Sequence, residues 1–182
     1  PILGGHMFGG LIGAPPPLSV LGPLARSAED LALALNVVAG PDSDSPFNKL
    51  ALPPPRHDRL SNYRVFILDS HPAADVDSSV RNAIESVARH LTAEGASVAH
   101  ASSSLPDMSV SWRTYQSLLH TVTSRRSGGD RPPISAHAWL DHLDNQVRIR
   151  RQWADFFRHF DVVLAPAFGT TAFPHTDEPD WR

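Results

Sequence analysis

The spacing of apolar residues divides the chain into segments of different period. Ala28, Leu31, Leu35 and Val38 recur at three- and four-residue steps, which places them on one face of a helix. Ser27 stands where its side chain accepts from a backbone N–H two or three residues on, Asp30 stands where it reaches back as in a capping box, and Glu29 and Asp30 lie at the positive helix end. Gly40 offers a left-handed cap and Pro41 bars continuation. These signals predict a capped amphipathic helix between Ser27 and Gly40, with one stripe facing a core.

Further on, Arg64-Val65-Phe66-Ile67-Leu68-Asp69 is a short apolar run with turn residues on both sides, the pattern of a buried strand. From Asp77, the residues Val80, Ile84, Val87 and Leu91 share a helix face that Gly95 closes, and Ser97 to Ala101 offers a second strand. Strand, helix, strand in this order is a right-handed parallel unit, so the class is α/β. Between Ser109 and Arg125, Val110, Trp112, Tyr115, Leu118, Leu119 and Val122 give a helix with a wide apolar face. The cluster Ser127 to Pro133 breaks it and predicts a mobile loop. Trp139, Leu143, Val147, Ile149, Trp153, Phe156, Phe157 and Phe160 then suggest one long or broken helix with an aromatic stripe, core by default. Val162 to Ala165 is a short buried strand ended by Pro166. Pro1 to Leu21, with five glycines and Pro15-Pro16-Pro17, and Pro41 to Asn62, with Pro53-Pro54-Pro55, predict connecting loops.

Composition bounds the rest. The 182 residues, 41% apolar and 19% charged, are enough for one globular domain with a core. No apolar stretch approaches bilayer length and no leader pattern stands near the N-terminus, so neither a membrane span nor a signal peptide is expected. The absence of cysteine excludes disulfides, thiolate catalysis and Cys-ligated metals, and fits a cytoplasmic protein. A net charge of -3, with basic residues clustered only at Arg125-Arg126 and at Arg148, Arg150 and Arg151, argues against a nucleic-acid partner.

Several chemical patterns are missing. The glycines near the N-terminus do not follow the Gly-x-Gly-x-x-Gly spacing of a dinucleotide loop. Among ten histidines there is no His-Glu-x-x-His, and His137 and His142, with Asp141 and Asp144 nearby, are five apart and so off a common helix face; no metal and no cofactor is expected. No Gly-x-Ser-x-Gly elbow exposes a nucleophile. Ser102-Ser103-Ser104 lacks flanking glycines whose backbone N–H groups would hold an oxyanion. Lys49, the only lysine, lies in a proline-bounded loop that offers no desolvation to lower its pKa.

The helix signals coincide with a longer resemblance. Gly22-Pro23-Leu24-Ala25-Arg26-Ser27-Ala28-Glu29-Asp30-Leu31-Ala32-Leu33, followed by Ala39-Gly40-Pro41-Asp42, resembles the segment downstream of the catalytic serine in amidase signature enzymes. Phe160-Asp161-Val162-Val163-Leu164-Ala165-Pro166 resembles that family's Phe-Asp-x-x-Leu-x-Pro core strand, and Pro1-Ile2-Leu3-Gly4-Gly5 looks like the residues just after its Gly-Leu-Lys-Pro-Thr turn. The resemblance implies an α/β/α fold with a mixed central sheet, incomplete in this chain. Residues 1–182 are then expected to be the central portion of a single amidase domain, lacking the N-terminal triad region and the C-terminal completion. It also implies a parent enzyme that hydrolyses carboxylic amides through an acyl-enzyme, using a Lys, cis-Ser, Ser triad. Neither the Gly-Gly-Ser-Ser-Gly-Gly run nor the triad lysine occurs in the 182 residues, so no catalytic residue is assigned and the chain is expected to be inactive by itself.

By the same resemblance Tyr115, on a helix that contributes to the pocket wall in the family, and Phe168, Thr170 and Thr171, on the loop after the second family-like strand, are the candidate substrate-binding residues. The expected ligand is a small amide. Uncovered strand edges favour a homo-oligomer. Two other functions stay open at this point: a non-catalytic binding or scaffolding module that shares only ancestry with the enzymes, and an amidotransferase A-type subunit that delivers ammonia to charged tRNA within a larger complex.

Overall fold

In the computed structural model the described residues are 2–3, 18, 20–39, 53–127 and 134–174. They fall into two compact units, one spanning residues 1–54 with 115–136, the other residues 55–114 with 137–182. Lys49, Gly40, Pro41, the triple proline at 15–17 and the expected mobile loop beyond Ser127 lie outside the described residues.

In the first unit, β1 (Ile2–Leu3) pairs antiparallel with β2 (Val20–Leu21), Ile2 opposite Leu21 and Leu3 opposite Val20. The expected loop from Pro1 to Leu21 therefore closes at its ends through a ladder too short to leave a periodic signal. Helix α1 (Ala28–Val38) starts as predicted, with the Asp30 backbone N–H donating to Ser27 Oγ at 3.1 Å. It ends on Ala39, an extended residue whose N–H donates to Leu35 O at 2.8 Å. The expected core stripe is a correction: no α1 residue is buried, and Leu31 and Val38 are exposed. A helical period reports capacity to pack and says nothing of whether a partner is there.

The second unit carries the sheet. β3 (Arg64–Ile67) is flanked by β4 (Ser97–Ala99) and β5 (Val162–Leu164) in the order β4-β3-β5, all parallel. Val65 lies opposite Val98 and Val162, and Phe66 opposite Ala99 and Val163. Alternation along β3 splits its side chains between two layers. Val65 and Ile67 join Ala88 of α2 (Ser78–Ala93) and Ala96 in a buried cluster, with Ile84, Leu91, Val98, Val162 and Leu164 packed around it. Val87, expected on that face, is exposed, and Ala88 takes its place.

Phe66 belongs to the other layer. Its ring meets Phe156 edge-on at 5.2 Å, at the end of the unbroken helix α4 (Ala136–Phe156), and meets Phe160 at the same distance. Phe156 stacks on Phe160 at 4.7 Å and is fully buried, but the expected core stripe holds only at this end: Val147 and Phe157 are exposed and Trp153 and Phe160 are half-buried. Helices on both faces of a parallel sheet give the expected α/β class.

Gly95 shows why α2 stops where it does. It adopts φ +89°, its N–H donates to Thr92 O and the Ala96 N–H donates to Leu91 O, which together form a Schellman cap that satisfies the last carbonyls. The remaining helix, α3 (Met108–Ser127), begins where Asp107 Oδ1 accepts from the N–H groups of Ser109 and Val110 at 2.8 and 3.0 Å. No helix among the described residues is long and apolar enough to cross a membrane.

Candidate active site

The two ends of the parallel sheet differ in chemistry. At the amino end, Asp161 is almost fully enclosed. It accepts from Arg64 Nε at 3.1 Å, Arg64 NH2 at 2.8 Å, the Arg64 backbone N–H at 2.9 Å and Arg56 NH1 at 2.7 Å, with His57 Nε2 at 3.5 Å. Its own N–H donates to Arg64 O, and Arg64 NH1 also donates to Arg158 O. The Arg64 hydrogen bonds hold the Asp161 carboxyl far below the usual carboxylate range, against the upward push of burial and with help from Arg56. Every acceptor position faces a cation or an N–H, so this carboxylate is a brace joining the starts of β3 and β5 rather than a free acid or base.

The carboxyl end is the opposite case. In an open parallel sheet ligands bind outside the carboxyl ends of the strands, where the connections turn to opposite sides. Here β3 leads through α2 to β4 on one side while β5 lies on the other, so that point falls between β3 and β5. Two loops form its rim: residues 69–77 after β3 and residues 165–171 after β5. The Asp77 N–H donates to Gly169 O at 2.8 Å, and a Cβ at Gly169 would sit 2.5 Å from the Asp75 carbonyl oxygen. Only glycine permits that approach, and it fastens the two loops side by side.

Phe168, Thr170 and Thr171 therefore share one loop on this rim, all exposed. The Phe168 ring tilts against Phe173 at 6.2 Å and Thr170 Oγ1 donates to Thr171 O at 2.7 Å. Tyr115, 42% exposed, falls in the other compact unit. Ser102 and Ser104, after β4, close on each other, with their hydroxyls 2.8 Å apart and the Ser104 N–H donating to Ser102 Oγ. That pairing is a turn. A depression of about 230 Å³ among Glu85, Ala88, Arg89, Thr92, Val98 and His100 lies on the β4 side, with β3 between it and β5.

Sequence reasoning missed two rim residues. His71 follows β3, its Nδ1 accepting from the Ala73 N–H at 3.1 Å and its ring lying edge-on to Trp112 of α3 at 5.7 Å. Gly169 makes the seam just described. The available signal was position: residues directly after a buried strand of a parallel unit stand on the ligand side. Among the described residues no group of three or more His, Asp or Glu side chains is placed to hold a metal ion.

This three-layer sheet with its carboxyl rim has counterparts among known proteins. The family model described as Amidase matches residues 8–130, and the chain belongs to that family. It is 29% identical over 171 residues to an indoleacetamide hydrolase of Bradyrhizobium japonicum, covering 82% of this chain and 36% of the relative's length. Among solved structures, a fatty acid amide hydrolase superposes with a TM-score of 0.66 at 19% identity, over 81% of this chain and 30% of its own. A bacterial aryl acylamidase of the amidase signature family superposes with a TM-score of 0.61 at 20% identity, over 86% and 38%. These likenesses support the α/β fold of amidase signature enzymes. The chain spans roughly a third of the length of each of these proteins.

Proposed function

We propose that this chain serves the hydrolysis of carboxylic amides as the central part of an amidase, forming framework and part of the substrate wall while the reacting groups lie elsewhere in the whole protein. The observation that carries this is the family match across residues 8–130. The named activities of relatives that share its sequence or fold, each an amide-cleaving enzyme, support it. In the proposed reaction a serine outside these residues attacks the amide carbonyl, a second serine and a lysine relay the proton to the departing ammonia or amine, and water clears the acyl-enzyme. The 182 residues lack the Gly-Gly-Ser-Ser-Gly-Gly run that supplies such a serine. Removing a nucleophile costs a factor of about 10⁶ in subtilisin, so the chain alone is inactive in this account.

Phe168, Thr170 and Thr171 on the rim, and Tyr115, are the proposed substrate-lining residues, and a small amide is the proposed ligand. A cytoplasmic setting accords with the cysteine-free sequence. The missing nucleophile favours one competing function, a binding module without catalysis. Peptide mapping of the intact source protein after treatment with a serine-directed fluorophosphonate separates them. An adduct on a serine outside these 182 residues is expected. An adduct on Ser102, Ser103 or Ser104, or no adduct at all, overturns the proposal.

A further inference from the structure

We propose that His71 is a ligand-binding and specificity-determining residue of the carboxyl rim, presenting its Nε2–H to an acceptor oxygen of the bound amide. This rests on the amidase reading above and goes beyond it by naming the donor. His71 lies four residues past the end of β3, on the loop that the Gly169 seam fastens beside the Phe168–Thr171 loop. An imidazole has one donor and one acceptor when neutral. Nδ1 of His71 is engaged as the acceptor by the Ala73 N–H, so the proton resides on Nε2.

The ring is also fixed in place. The Ala74 N–H donates to His71 O at 3.4 Å, closing a tight turn, and Trp112 meets the ring edge-on. A ring needed only for packing against Trp112 would be served by any aromatic residue. This one also has its Nδ1 engaged by a backbone N–H and stands at the sheet's ligand side. An imidazole N–H donor suits the oxygen of an uncharged amide, which accepts without requiring a compensating charge. Trp112 acts through His71 as a positioning residue.

The test is a titration of the full-length source protein with phenylacetamide, followed by nitrogen-15 signals of the imidazole and indole groups. His71→Phe keeps an aromatic edge against Trp112 and removes the donor, while His71→Gln places an amide N–H near the former Nε2. Binding is expected to weaken about five- to tenfold in His71→Phe, the loss of one neutral hydrogen bond, and to stay within about threefold of wild type in His71→Gln. Wild-type affinity in His71→Phe, with shifts confined to the Phe168–Thr171 loop, overturns the role of His71 and leaves the amidase reading standing. No binding of phenylacetamide by the full-length wild-type protein up to the ligand's solubility limit removes the amide site from this rim, and the proposal with it.

Discussion

Replacing Asp161 by Asn removes one negative charge from the amino end of the sheet while keeping the shape of the side chain. In wild type the carboxylate takes four hydrogen bonds of 2.7 to 3.1 Å, three of them from guanidinium groups. The amide keeps one oxygen for Arg56 and Arg64 NH2 but turns an NH2 group toward Arg64 Nε and the Arg64 backbone N–H, donor against donor. A hydrogen bond to a charged group contributes about 1.5–3 kcal/mol, and removing one partner of a buried pair costs about 3–5 kcal/mol. The Arg56 and Arg64 side chains are about half exposed and regain water, so the expected loss is about 2–4 kcal/mol, at the lower edge of that range.

For a chain of this size that corresponds to a drop in Tm of roughly 5–12 °C. Urea and thermal unfolding at pH 7, read by circular dichroism in the far and near ultraviolet, measure it. The folded carboxyl titrates below its unfolded value of about 3.9, so its contribution is complete above that value and is lost as the pH falls toward the folded pKa. The gap between wild type and Asp161→Asn is therefore constant above about pH 5 and narrows below about pH 4. A loss under about 1 kcal/mol at pH 7, or a gap that stays constant in acid, refutes the brace.

Other substitutions test the remaining links. Asp155→Ala breaks the exposed Asp155–Arg158 pair and should change stability by less than about 0.5 kcal/mol, a control in the same unfolding assay. Phe156→Ala opens the aromatic layer under β3 and should cost about 3–5 kcal/mol by urea denaturation; a small effect would deny Phe156 its central place. Gly169→Ala forces the rim loops apart and should cost about 1–3 kcal/mol while weakening phenylacetamide binding, whereas unchanged values of both would disprove the seam. Ser27→Ala should destabilise α1 by about 1 kcal/mol, seen as faster amide exchange in that helix, and unchanged exchange would remove the cap.

The parallel unit was legible because local signals agreed with the tertiary outcome. Val65, Phe66 and Ile67 form a run too short for a helix, Gly95 marks the left-handed turn after α2, and the aromatic spacing from Trp153 to Phe160 sets several rings around the buried Phe156. Where prediction and structure part, the deciding contacts lie far apart in sequence. Leu31 and Val38 carry a helical stripe that no described residue buries, and the Ile2–Leu3 ladder needs partners nineteen and seventeen residues away. The rim was half legible. Phe168, Thr170 and Thr171 came from resemblance, while His71 stayed hidden among ten histidines because its significance depends on the tautomer and on Trp112, 41 positions along the chain. Asp161 was read only as part of a strand motif; its partners Arg56 and Arg64 are about a hundred residues earlier.

Ammonia release from phenylacetamide, measured in parallel for the purified 182-residue chain and for the full-length source protein, tests most directly whether this chain is framework for amide hydrolysis performed by groups outside it. Steady release by the full-length protein and none above the uncatalysed rate from the chain is the predicted result. Turnover by the chain alone, or none by the full-length protein with any primary amide, contradicts it.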